Sequence, residues 1–203
     1  MSGQQTKSAS RRQRVLDAAL EVFAREGYGN AAVDEIARRS ETSKGGVYFH
    51  FPSKQAMFLA LIDAAGALLL ERAERAMAET DDPIAKGDAA LLAVLRTFGS
   101  HRALARLLLI EALGAGSDFN QRLSELHAAF ARLIATYLDA AIAAGAFPPM
   151  DTQLAGVAWF GAVNQTVTRW VLTGEPERLE DVYPTLRVLL LHGLHGPCEG
   201  LTR

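Results

Sequence analysis

Between Val33 and Lys54 the chain reads VDEIARRSETSKGGVYFHFPSK, a segment that cannot hold its own shape. Its first part predicts a helix from Val33 to Arg39, with Val33, Ile36 and Ala37 on one face at helical spacing. A second helix opens at Ser43, whose hydroxyl can accept from the free N–H groups of a helix start. The body of that second helix, KGGVYFH, is too short and too rich in glycine to be stable in isolation. It must be held by neighbouring elements and kept for the surface it presents. That surface carries Lys44, Gly45, Gly46, Tyr48 and His50. Small residues let a backbone approach closely, and Lys, Tyr and His suit phosphates and base edges. Two short helices of this kind have the logic of a helix-turn-helix with its second helix in a DNA major groove.

Charge supports that direction modestly. The whole chain carries a net charge of −2, but residues 1–55 hold nine Lys/Arg against six acids, and the remainder twelve against seventeen. A basic N-terminal quarter on an acidic body suits a DNA-reading head. Arg11, Arg12 and Arg14 precede the first strongly periodic helix and could reach phosphates or a minor groove; a solvated basic end is the equal alternative.

The rest of the chain is helical by pattern. At 203 residues and 49% hydrophobic it can bury a substantial core. Residues 1–10 are polar and read as disordered. A helix is expected from Arg11 to Glu26, ended by Gly27, with Leu16, Ala19, Leu20 and Phe23 inward. Pro52 ends the short second helix, and Ser53 caps a long one from Lys54 to Ala78. Further helices are expected at 83–99, 102–114, 117–144, 151–173 and 178–195, separated by Gly- and Pro-containing breakers. No segment alternates at period two, so the expectation is all-α. The expected division is a head of residues 1–52 and a body of 53–203. One cysteine, Cys198, excludes an intrachain disulfide. No secretion signal is evident, and Asp63, Glu111, Asp139 and Arg169 interrupt the longest apolar stretches, so a cytoplasmic chain without membrane association is expected.

Residues 11–58 resemble the TetR (tetracycline-repressor type) family of transcriptional regulators. The likeness rests on an Ala-rich helix ending Phe23…Gly27-Tyr28, then Ile36-Ala37, then Ser43-x-Gly45-x-x-Tyr48-x-His50-Phe51-x-Ser53-Lys54. It implies three helices in the head, about six in the body, and a two-fold dimer. It also implies a DNA-facing set of Thr42, Ser43, Lys44, Gly45, Gly46, Tyr48, His50 and Lys54: Lys44 and the Gly45-Gly46 backbone for base edges, and Tyr48, His50, Thr42 and Lys54 for phosphates, with packing inside the head the alternative for Tyr48 and simple exposure the alternative for His50. Phe51 reads as core, while the pattern leaves the direction of Phe49 open. The chain departs from the family at Ala31-Ala32, where Thr or Ser would cap the first short helix, and at Glu41, where glycine usually occupies the turn. Glu41 carries strain if the turn needs positive φ, and an acid there opposes DNA.

The body is expected to hold an effector pocket, mostly apolar with a few polar groups. Its candidates are His101, His127, Phe130, Trp159, Phe160, Asn164 and Thr168, against the alternative that each is core or dimer contact. The apolar pair 151–173 and 178–195 has more hydrophobic surface than the chain can cover, which points to a homodimer. His192, His195 and Cys198 recur at three-residue intervals, but Pro197 breaks the helix and no fourth ligand follows; no metal or cofactor is expected. There is no nucleophile elbow or phosphate loop, so no enzyme is expected. The reading is a repressor released from a palindromic operator by a hydrophobic or aromatic small molecule. A DNA-bound partner-recruiting or architectural regulator is the alternative.

Overall fold

A computed structural model describes residues 2–193, and the side chains of 2–7 and 192 are not described. Every regular element in that range is helical. In order they are α1 (Ser2–Asn30), α2 (Val33–Arg39), α3 (Lys44–His50), α4 (Lys54–Met77), α5 (Pro83–Ser100), α6 (Arg102–Arg106), α7 (Ser117–Ala143), α8 (Thr152–Thr173) and α9 (Tyr183–Arg187). A π turn, Leu107–Glu111, extends α6, and a second, Val188–His192, extends α9. His192, His195 and Cys198, which the sequence reads as an incidental cluster, lie outside the described side chains.

Most spans fall where the breakers put them. The start of α1 does not: it runs back to Ser2. The QQTKSASRRQR stretch contains no proline and many good helix formers, so nothing stops the helix once its inner turns are packed. Gly27 interrupts α1 with φ 77° and ψ 161°, a backbone region that only glycine enters without strain.

The chain packs as two compact units. The first comprises residues 1–67 and 102–124, so α6 and the first turns of α7 belong with the N-terminal helices. Its core centres on four rings. Phe23 meets Phe58 edge-on at 4.9 Å, Tyr28 meets Phe58 at 5.0 Å, and Phe119 meets Tyr28 at 4.8 Å and Phe58 at 5.0 Å. Each such pair adds about 0.5–1.5 kcal/mol beyond its burial. Val15, Val22, Ile36, Val47 and Met57 are among the residues buried around the head helices. α6 and its π turn pack along α1.

The second unit comprises residues 68–101 and 125–203. Tyr137, Leu138, Ala141, Phe147 and Leu191 form one core cluster, with Met77, Ile84, Ile134 and Trp159 packed on it. The Tyr137 hydroxyl donates to the Pro83 carbonyl at 2.8 Å, and burial pushes its pKa well up. Asp88 of α5 accepts from Tyr183 at 2.9 Å and from Arg187 at 2.7 Å, which fixes α9 to α5. α7 and α8 meet at Gly156: a β-carbon there would lie 2.5 Å from the Ala131 carbonyl oxygen.

α7 departs from one expectation. Among the described residues it is the one helix containing an 18-residue stretch apolar enough to suit a membrane crossing, at mean hydropathy 1.3. Its many alanines raise the index despite Arg132 and Asp139. Phe119, Leu123, Leu138 and Ala141 of that helix are buried against other parts of the protein.

Candidate functional site

The head motif is built as its residues dictate. Ala32 stands at the cap position before α2 and supplies no side-chain cap, as the missing Thr/Ser predicts. The turn then passes through Glu41 at φ 52°, the left-handed conformation glycine would take without strain. Ser43 caps α3, its hydroxyl accepting from the Gly46 N–H at 3.1 Å. That bond occupies one face of Ser43, which makes its first role structural. Val47 and Phe51, one turn apart, are buried and turn α3 inward.

The outward face is therefore the opposite one. Lys44 and Gly45 are exposed on it, and a β-carbon at Gly45 would meet only the Ser43 hydroxyl oxygen, at an ordinary contact distance of 4.0 Å. Gly46 does not: a β-carbon there would lie 2.6 Å from the Thr42 hydroxyl oxygen, so this turn fits best with glycine. Tyr48 is 42% exposed and Phe49 81% exposed. His50 is half-buried, its ring edge-on to Phe49 at 5.2 Å. Phe49 is the residue the sequence pattern left open. Its signal is nonetheless in the spacing: two residues after Val47 and two before Phe51, it projects away from the buried side of α3. A fully presented aromatic ring on this helix can contact thymine methyl groups.

Internal charge pairing shapes the head. Glu35 accepts from Arg38 at 2.7 and 2.8 Å and from Arg39 at 2.7 Å, and these guanidinium bonds lower its pKa to about 2. Arg39 reaches back to Glu21 of α1 at 2.9 Å. Lys44 pairs with Asp34 at 2.9 Å across the motif, which raises its pKa.

Lys54 stands differently from the expected phosphate contact. Its ammonium donates to the carbonyls of Tyr28 at 2.7 Å, Gly29 at 3.1 Å and Ala31 at 3.1 Å. It also sits 4.8 Å over the Tyr28 ring. An ammonium has three donors, and all three are used on the connection between α1 and α2. Lys54 is a tie within the head, and phosphate contact would require breaking it.

The effector candidates separate into groups. His127 and Phe130 of α7 meet Phe160 of α8, at 4.8 and 5.9 Å between ring centres. Burial lowers the His127 pKa. Asn164 and Thr168 follow Phe160 at one-turn intervals, both half-buried, though the Thr168 hydroxyl is spent on the Asn164 carbonyl at 2.8 Å. Trp159 packs instead with Tyr137 at 6.2 Å and Phe147 at 6.5 Å, half-buried against the core cluster. His101 is exposed at the end of α5, its Nδ1 3.0 Å from the Thr97 carbonyl oxygen. Only His127, Phe130 and Phe160 are brought together by ring contact.

Known proteins share both parts of this architecture. Residues 15–61 match the family model of bacterial regulatory proteins of the tetR family, and residues 64–193 match that of the YsiA-like protein C-terminal region. The fatty acid metabolism regulator protein of Bacillus subtilis is 27% identical over 188 residues, 90% of this chain and 95% of that protein. Among solved structures, the fatty acid degradation regulator FadR of Bacillus halodurans superposes with a TM-score of 0.82 at 24% identity, covering 90% of this chain and 98% of that one. FadR of Bacillus subtilis, solved in complex with stearoyl-CoA, gives a TM-score of 0.81 at 24% identity over 90% of this chain and 99% of that one. The chain belongs to the tetR family of bacterial regulatory proteins, as a transcriptional regulator with a helix-turn-helix head and a YsiA-type C-terminal region.

Proposed function

We propose that this chain is a dimeric operator-binding repressor, released from DNA by a long-chain fatty acyl-CoA. The observation that carries the effector class is the likeness to the Bacillus subtilis fatty acid metabolism regulator, which extends through the C-terminal region and not the head alone. α3 enters the major groove, with Lys44, Gly45, Gly46, Tyr48, Phe49 and His50 facing DNA and Thr42 beside them. Two copies place their α3 helices about one DNA turn apart, ~34–36 Å, on a palindrome. Head and body divide their labour near residue 52, and the protein acts in the cytoplasm without catalysing a reaction. An acyl chain needs an apolar lining with few polar groups. The His127, Phe130 and Phe160 patch, with Asn164 next along α8, has that composition.

The ligand must prefer the released state, by ~5.5 kcal/mol to move populations from 1:99 to 99:1. The test is fluorescence anisotropy on the DNA flanking the protein's own gene, titrated with stearoyl-CoA, stearate and acetyl-CoA. Release by stearoyl-CoA alone is expected. A complex untouched by every acyl-CoA, with no thermal shift, sinks the effector reading and favours a regulator that recruits partners on DNA.

A further inference from the structure

The positive charge of the head lies in an unexpected place. Residues 15–55, which contain the whole helix-turn-helix, hold five basic and six acidic residues. Residues 1–14 hold four basic residues, Lys7, Arg11, Arg12 and Arg14, and no acid. The basic groups of the motif are also occupied. Arg25 pairs with Glu26, Arg38 and Arg39 with Glu35, and Lys44 with Asp34, while Lys54 is held by carbonyls. Arg11, Arg12 and Arg14 are exposed, and among the described residues none has a carboxylate partner. The nearest acid, Asp17, takes its hydrogen bond from Gln13.

These arginines are not on a loose tail. They lie on α1, continuous with the turns that Val15, Leu16, Ala19 and Phe23 bury in the head. The Arg12 guanidinium sits 4.8 Å over the ring of Phe51, the residue that ends α3. The basic segment is thus anchored beside the end of the helix that faces DNA. Arg11 and Arg14, three residues apart, share a neighbouring face free of that contact.

Resting on the operator-binding reading, we propose that this N-terminal helical arm is a second DNA-contacting surface. It takes the phosphate backbone flanking the sequence read by α3, and it supplies most of the salt-dependent part of affinity. With the basic groups of 15–55 already paired or held by carbonyls, the motif has few free cations to exchange for counterions. Phosphate contacts position without specifying, so the arm contributes equally on operator and non-operator DNA.

The full chain and its Arg11→Gln/Arg14→Gln variant are compared by anisotropy on palindromic and scrambled DNA of equal length, across a salt series. Circular dichroism and light scattering check fold and oligomeric state, which exposed substitutions should leave alone. Each phosphate left without its arginine lowers the slope of log K against log salt by about 0.9, so two arms that each release two phosphates lower it by about 3–4. The same fall on both DNAs, with their affinity ratio unchanged, is expected. An unchanged slope overturns the proposal, as does a loss confined to the palindrome. A wild-type chain without palindrome preference overturns the operator reading instead, and the slope on scrambled DNA still decides the arm.

Discussion

Lys54 and Tyr28 are joined twice: the Lys54 ammonium donates to the Tyr28 carbonyl at 2.7 Å and lies 4.8 Å over the Tyr28 ring. With Gly29 and Ala31 also accepting from it, the first residue of α4 clasps the last turn of α1 just before α2 begins. A displacement of α4 at its start therefore acts on the connection from which the helix-turn-helix hangs.

Replacing Lys54 by Met removes the clasp while keeping a long apolar stem. Hydrogen bonds to a charged group are worth about 1.5–3 kcal/mol, so the unfolding free energy from urea titration should fall by that order. Operator affinity should fall as well, through loosened head geometry. A variant as stable as wild type but weaker on DNA would return Lys54 to the role of a phosphate contact.

Glu41 is the reverse case, a residue whose removal should help. Its φ of 52° costs a side chain about 1 kcal/mol relative to glycine. Glu41→Gly is expected to raise stability by about that amount and to tighten DNA binding by removing an acid beside the phosphates. Equal or lower stability would mean that the turn is held by the Glu41 side chain.

Gly156 has no such latitude. A β-carbon placed 2.5 Å from the Ala131 carbonyl forces α7 and α8 apart. Gly156→Ala should destabilise the protein by about 1–3 kcal/mol, the usual range for overpacking. Thermal unfolding measures it, and a neutral effect would show that the two helices can separate freely.

Local features are legible in the sequence, and tertiary ones are not. The uncapped start of α2, the Ser43 cap and the positive φ of Glu41 follow from single residues and their immediate neighbours. So does the inward pair of Val47 and Phe51, which fixes Phe49 outward. The carbonyl contacts of Lys54 are hidden because its partners lie 23–26 residues earlier, and sequence spacing says nothing about which carbonyls end up open nearby. The grouping of 102–124 with the N-terminal helices depends on Leu104 and Leu107 burying beside α1, which helical periodicity alone does not assign. The π turn closed by the Ala112 N–H on the Leu107 carbonyl, at 3.0 Å, has no sequence signal we can name. Trp159 and Phe160 are adjacent in sequence but serve different clusters, since neighbours on a helix point about 100° apart.

The second unit leaves apolar surface uncovered. Leu154, Val157 and Leu172 on α8, and Val188 and Leu189 after α9, are exposed, Leu154 by 67% and Leu189 by 63%. Leu154→Asp with Leu189→Asp should leave the fold intact, because neither side chain is core. It should weaken self-association by roughly tenfold or more, the cost of charging the centre of an apolar interface. Sedimentation would show monomers at micromolar concentration, and palindrome-dependent binding would vanish with the dimer. A dimer that persists would place the two-fold interface elsewhere.

His127 gives the second unit a pH dependence whose sign is fixed. Burial beside Phe130 and Phe160 disfavours its charged form, so its folded pKa lies below the ordinary 6.5. The unfolded chain takes up this proton near pH 6.5, and the folded chain only at lower pH. Between those values the unfolded state binds more protons, so stability falls as pH drops through that window and levels off below the folded pKa. Urea midpoints from pH 7.5 to 5.5 should therefore decline more steeply for the wild type than for His127→Phe, which keeps a ring in the patch without the titration. Parallel curves would mean that His127 is open to water and that its contact with Phe160 carries no desolvation. If the patch takes an acyl chain, bound stearoyl-CoA should bury the ring further and steepen the wild-type decline, leaving the His127→Phe curve as it was.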